Sequence, residues 1–361
     1  MARRFFGHQT FKGRGALSNP VGRFDALTIE QMHDGWYQDE IEESLDETVL
    51  PDSARSIITT NNSPDVGFDV SINPYRGCSH ACVYCFARPS HAYLGLSPGL
   101  DFETKLFYKA DAVGLLEAEL SKPRYVCKPI ALGINTDGYQ PLEKRLGITR
   151  SILIVLARCR HPVTIVTKSA LIVRDIDLLA DLAKNRLVSV MLSITSLTAE
   201  IKRTLEPRTA SPQARLRVIA QLAQAGIPVG VMVAPVIPGI TDHELEDILG
   251  AARHAGASCA SYVLLRLPHE VKILFREWLS EHYPDRAKHV MSLINQARGG
   301  KDYDSEFGVR MRGTGPYADL LRSRFDLAAR KLGYADASER HCLDTDLFRP
   351  PAAAAQLTLG L

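Results

Sequence analysis

Three cysteines fall within eight residues of the stretch "NPYRGCSHACVYCFARPSH" (73–91): Cys78, Cys82 and Cys85, spaced C-x3-C-x2-C. Thiols this close in sequence commonly share a metal ion or a cluster. One reading is a zinc site completed by His80 or His91. A structural zinc site usually carries a second ligand pair farther along, however, and Cys127, Cys159, Cys259 and Cys342 stand singly. A second reading is three inert buried thiols. The third, which the spacing favours, is a [4Fe-4S] cluster with three protein ligands. Four irons and three cysteines leave one iron open to bind a small molecule directly.

The elements that must position such a loop follow from the apolar pattern. Short β-branched runs at 66–72, 129–134, 163–168, 188–194, 228–235 and 261–267 alternate with amphipathic stretches at 109–121, 142–159, 170–184, 212–225, 242–255 and 269–281. "AQAGIP" and "RHAGAS" each place a glycine just past a helix. Strand and helix repeated six times imply parallel strands with helical crossovers, in an open doubly wound sheet or a partial (β/α)6 barrel. Both put chemistry at the carboxyl ends of the strands, and Cys78 lies just past the first.

Around this core, residues 1–62 read as a polar, partly disordered N-terminal extension and 63–283 as the α/β domain. Residues 284–361 read as a C-terminal extension with a basic helical segment and a Pro/Ala-rich tail. Residues 24–54 hold ten acids and no Lys or Arg, although the whole chain is only +2, so the remainder is basic. That balance suits an anionic partner such as nucleic acid, or is simply a solvated acidic segment. Arg3 and Arg4 are followed by no apolar core of a signal peptide, and no apolar run approaches the ~18 residues of a membrane span. Together with the odd cysteine count, this predicts a cytoplasmic protein without a disulfide framework.

The three-cysteine spacing after the first strand of a six-fold repeat resembles the radical SAM superfamily. Within it, "NTDGYQPLEKRLGITR", "VTKS", "SITSLTAEIKRTLEPRTASPQARL" and "VAPVIPGITDHE" resemble the spore photoproduct lyase-related, DNA repair photolyase-like proteins. The resemblance implies a partial (β/α)6 barrel and a [4Fe-4S] cluster on Cys78, Cys82 and Cys85. It further implies S-adenosylmethionine on the open iron, cleaved by one electron to a 5′-deoxyadenosyl radical that abstracts hydrogen from a substrate. A flavodoxin- or ferredoxin-like donor would supply the electron, and nucleic acid is the leading substrate class. RNA or peptide modification by the same chemistry, and a non-enzymatic zinc-stabilised nucleic-acid-binding protein, are the alternatives.

The resemblance also assigns cofactor positions. Tyr84 matches the aromatic residue whose backbone meets adenine. Asn135, Thr136 and Asp137 end strand two, where an ammonium would bind, although Asn-Thr-Asp-Gly is also good turn chemistry. Lys168 ends strand three and would meet a carboxylate; Ser193 ends strand four and would touch ribose. Glu206 and Arg208 in "LEPR" form an ion pair or a cofactor clamp. Spore photoproduct lyase has a cysteine near the end of strand two and a tyrosine after the last cluster cysteine. This chain reads "LGINTDG" and Phe86 at those places, which argues against the lyase's own hydrogen-return route. "GTGPYA" (313–318) fits a helix start with Pro316 in the first turn. Arg298, Lys301, Arg310 and Arg312 before it form a solvated basic face or hold a phosphate.

Overall fold

The computed structural model describes residues 11–25, 45–335 and 342–351. Most of the acidic run and the end of the Pro/Ala-rich tail lie outside the described residues. The strands are β1 (Thr48–Pro51), β2 (Ile58–Thr60), β3 (Val70–Ile72), β4 (Tyr75–Arg76), β5 (Lys105–Tyr108), β6 (Ile130–Leu132), β7 (Val163–Thr167), β8 (Val188–Ser193), β9 (Val229–Val236) and β10 (Cys259–Leu264). The helices are α1 (Leu100–Thr104), α2 (Ala112–Leu120), α3 (Glu143–Leu146), α4 (Ile148–Arg158), α5 (Ile176–Lys184), α6 (Ala199–Leu205), α7 (Pro212–Gln224), α8 (Leu245–His254), α9 (Val271–His282), α10 (Ala287–Gln296) and α11 (Pro316–Lys331).

The main sheet runs β10-β9-β8-β7-β6-β3-β2, and all neighbours are parallel except β2 and β3. Its parallel strands follow chain order without reversal. That is the winding of a barrel, open here between β10 and β2, and not of a doubly wound sheet. Alternation along each strand explains the layering. Val163, Ile165, Val190, Leu192, Val229 and Val231 are buried in the core shared with the helices, each contributing about 1.5–3 kcal/mol. Thr164, Val166, Met191 and Met232 point to the other, concave face and are only half-buried.

Helix ends follow local chemistry. Ser211 caps α7 by accepting from the Ala214 N–H at 3.2 Å, and Pro212 fills its first turn. Gly226 and Gly256, at φ +72° and +103°, end α7 and α8 as read from the sequence. One expectation changes: the helix over 142–159 is broken at Gly147, which takes φ +66° and separates α3 from α4. The last strand also ends earlier than its apolar run, so Leu265, Arg266 and Leu267 lie beyond β10.

The described parts of the N-terminal segment are built into the fold. Ala16 and Leu17 are buried, β1 pairs with β5, and β2 extends the main sheet beside β3. Residues 303–312 connect the two open edges of that sheet. Met311 C=O accepts from the Leu264 N–H of β10 at 2.9 Å, while Gly308 N–H and the Arg310 guanidinium donate to Asp65, in the turn between β2 and β3. Among the described residues no helix is long and apolar enough to cross a membrane.

Candidate active site

The cysteine loop follows β4 and is wound tightly on its own backbone. Ala81 N–H donates to Cys78 C=O, Cys85 N–H to Cys82 C=O and Arg88 N–H to Cys85 C=O, while Val83 N–H reaches Leu205 C=O at the end of α6. Arg88 is wholly buried beneath the loop. Its Nε donates to Cys82 C=O at 2.8 Å, its fork reaches the Pro98 and Gly99 carbonyls, and it pairs with the equally buried Glu103. Glu103 in turn accepts from the backbone N–H groups of Gly15 and Ala16. Residue 15 must be glycine, because a Cβ there would lie 2.0 Å from Ala81 O.

Cys78 and Cys82 are buried and Cys85 is half-buried. Burial is the main force raising all three thiols. Cys78 is pushed well above its ordinary value, also by Asp137 and by the other two cysteines. Cys82 is pushed to about 12, with Glu206 adding to burial and Lys168 opposing it. The donor set therefore consists of three neighbouring thiols that need a cationic centre to ionise them. No three His, Cys, Asp or Glu side chains among the described residues converge as a single ion would require. Of the two histidines considered for zinc, His80 Nδ1 lies 3.4 Å from Asp137, and His91 Nε2 lies 2.9 Å from Lys105 O while its Nδ1 is buried without a hydrogen-bond partner. Three neighbouring thiols fit the protein ligand set of an iron–sulfur cluster.

Beside this loop the strand ends bring several expected residues together. Lys168 N–H, past β7, donates to Asp137 Oδ2 at 2.8 Å, and Thr167 Oγ1 donates to the same carboxylate. Lys168 Nζ donates to Ser193 Oγ at 2.7 Å and lies 5.8 Å from the Tyr84 ring centre. Ser193 Oγ donates to Ala234 O at 3.0 Å. Burial alone would raise the Asp137 carboxyl; the His80 imidazole and the Lys168 and Tyr139 N–H groups overcome it and hold the carboxyl below its usual range.

Two expected residues are placed differently. The Thr136 hydroxyl is spent on Tyr75 O at 2.8 Å. Asn135 is exposed, and its N–H is held by Asn73 Oδ1 at 2.8 Å. Glu206 and Arg208 do not pair with each other. Arg208 pairs with Glu47, while Glu206 accepts from Arg215 at 2.6 Å and from Tyr84 Oη at 2.5 Å. Burial would raise Glu206, but the Arg215 and Lys168 charges and the Tyr84 hydroxyl hold it low.

Sequence reasoning missed Asn73, Arg215, Gln140, whose Oε1 accepts from the Ser79 N–H of the loop at 2.9 Å, and Thr195, whose hydroxyl lies 3.2 Å from Tyr84 Oη. Arg215 carried a signal: with Val218, Ile219 and Leu222 it lies on the buried face of α7 at i, i+3, i+4, i+7. A buried arginine on an apolar stripe requires an acid or carbonyls, here Glu206 and Ser193 O.

A family profile described as the Radical SAM superfamily matches residues 72–252. The chain belongs to the radical SAM superfamily. An uncharacterized protein of Mycobacterium tuberculosis is 40% identical over 237 residues, covering 65% of this chain and 70% of that one. One from Methanocaldococcus jannaschii is 27% identical over 215 residues, covering 59% and 76%. Among solved structures, spore photoproduct lyase complexed with dinucleoside spore photoproduct superposes with a TM-score of 0.56 at 16% identity, covering 79% of this chain and 80% of the lyase. A mutant of that lyase with bound AdoMet and the dinucleoside gives 0.51 at 15%, with the same coverage. The radical SAM fold is thus shared with the lyase, and membership of the superfamily implies S-adenosylmethionine and an iron–sulfur cluster as the cofactors of this radical SAM enzyme.

Proposed function

We propose that this enzyme cleaves S-adenosylmethionine reductively on a [4Fe-4S] cluster held by Cys78, Cys82 and Cys85, and takes hydrogen from a nucleic-acid substrate. The carrying observation is Lys168: its ammonium sits beside the cysteine loop, engaged by a hydroxyl and, at 3.5 Å, by Ala234 O, with no carboxylate among the described residues in ion-pair contact and Glu206 acting on it only at longer range. When bound, the cluster supplies the electron that turns S-adenosylmethionine into methionine and a hydrogen-abstracting 5′-deoxyadenosyl radical. The protein's own groups position the cofactor. Lys168 would take the methionine carboxylate and Asp137 the ammonium, leaving Ser193 for ribose and the Tyr84 main chain for adenine. The Glu206–Arg215 pair anchors Tyr84 from behind, so the loop's aromatic residue cannot turn away.

The basic balance outside residues 24–54 and the dinucleoside held by a protein of the same fold support a nucleic-acid substrate. The absence of a cysteine in "LGINTDG" and the presence of Phe86 separate the reaction from the lyase's own. A flavodoxin- or ferredoxin-like donor would provide the electron. Deuterium transfer into 5′-deoxyadenosine tests the substrate class. Label arriving from a perdeuterated oligonucleotide supports the reading; label arriving only from a perdeuterated peptide replaces the nucleic acid.

A further inference from the structure

Phe86 follows the last cysteine of the loop and Arg266 lies two residues past β10, so both belong to the carboxyl face of the sheet. The Arg266 guanidinium carbon stands 4.9 Å from the centre of the Phe86 ring, and that ring is 40% exposed, leaving surface for a second planar group. Arg266 has no carboxylate partner among the described residues. Its contacts are Met311 Sδ at 3.5 Å and Tyr303 Oη at 3.4 Å, and its Nε is buried without an acceptor. A thioether and a distant phenol are weak acceptors for a group with five N–H donors in a fixed fork.

Arg310 and Arg298 do not share this deficit, and Arg312 is covered by the Tyr262 ring, 4.0 Å from its guanidinium carbon. Arg310 stacks on Phe307 at 4.6 Å but is neutralised by Asp65. Arg298 is buried against the carbonyls of Val309 and Leu265. The acids of the same segment are also engaged: Asp302 pairs with Arg276, and Asp304 Oδ1 accepts from Glu306 N–H. A half-exposed guanidinium with an unfilled fork is thus left against an exposed ring, beside the thiols.

The geometry points to a nucleotide subsite formed by Arg266 and Phe86, with a phosphodiester on the guanidinium and the adjoining base stacked on the ring. Guanidinium matches phosphate in a two-pronged hydrogen-bond pattern, and an aromatic face accepts any base, so the subsite reads a single-stranded or everted nucleotide without regard to its identity. It rests on the nucleic-acid reading above and names the residues that hold the substrate. Residues 303–311 supply its floor through Tyr303 and Met311, which gives the segment bridging the open sheet a second task.

The test is fluorescence anisotropy of the cluster-loaded full chain with labelled single-stranded 12-mers of DNA and of RNA, over a range of salt. Arg266→Gln is expected to weaken binding roughly 10-fold and to reduce the slope of log Kd against log salt by about 1. Arg266→Lys should keep the slope while losing part of the affinity. Phe86→Ala should weaken binding roughly 10-fold at an unchanged slope and an unchanged iron content. Whichever of DNA or RNA binds more tightly names the source of the phosphodiester. If the oligonucleotide binds and Arg266→Gln, with an unchanged melting temperature, alters neither affinity nor slope, the subsite is overturned and the nucleic-acid reading stands. If the wild-type chain binds neither oligonucleotide, both are overturned.

Discussion

Lys168 Nζ donates to Ser193 Oγ at 2.7 Å, tying the end of β7 to the end of β8 directly beside the cysteine loop. A hydroxyl cannot neutralise an ammonium, and in the proposed function this ammonium takes the methionine carboxylate. Lys168→Ala is expected to weaken S-adenosylmethionine binding by about 10- to 100-fold, the loss of one hydrogen bond between charged groups. Isothermal titration at unchanged iron content checks this; unaltered affinity would remove Lys168 from the site.

The cysteines divide into two groups. Replacing Cys78, Cys82 or Cys85 with Ala is expected to cost most of the bound iron and sulfide and the visible absorption of the anaerobically reconstituted protein. Cys127→Ala and Cys159→Ala should retain both, because Cys127 precedes β6 and Cys159 precedes β7, at the amino ends of strands whose carboxyl ends face the loop. Iron and acid-labile sulfide assays on the five variants distinguish the groups.

The Glu206–Arg215 pair is almost completely buried. Arg215→Ala leaves a carboxylate without a counter-charge and should destabilise the protein by about 3–5 kcal/mol. Arg215→Met combined with Glu206→Gln should recover a large part of that loss. Urea unfolding of the three proteins measures the difference. Equal stability of the single and double variants would show that the charge is compensated elsewhere.

Stability should also fall with pH because of His161. It is fully buried, with Nδ1 3.0 Å from Pro162 O and Nε2 2.7 Å from Tyr125 Oη, and burial holds its pKa down to about 4 from 6.5. Between those values the unfolded imidazole binds a proton that the native one refuses. Stability therefore decreases as pH drops from 6.5 towards 4, by at most about 3 kcal/mol from this residue. His91, also held down to about 4, adds a loss of the same sign. Denaturant midpoints across this range should decline less steeply in His161→Gln than in the wild type.

The cysteine loop and the six strands were legible because their signals are local: thiol spacing, period-two apolar runs and glycines past helix ends. Partnerships across the chain were not. "LEPR" placed Glu206 and Arg208 two residues apart and suggested a pair, yet Glu206 turns to Arg215 on α7 and Arg208 to Glu47. The segment around Gly15 and Ala16 read as an extension because it docks through backbone N–H groups on Glu103, which leave no side-chain periodicity. Residues 303–312 likewise bridge the sheet edges through main-chain groups and one arginine, and only their charge was visible in advance.

The central claim is radical chemistry at the three-cysteine loop. Its direct measurement is 5′-deoxyadenosine formed from S-adenosylmethionine by the anaerobically reconstituted full chain after dithionite reduction. The expected result is about four irons per chain with 5′-deoxyadenosine and methionine produced in equal amounts, and neither produced by the Cys82→Ala variant. A fully loaded protein that binds S-adenosylmethionine, accepts the electron and yields no 5′-deoxyadenosine would contradict it.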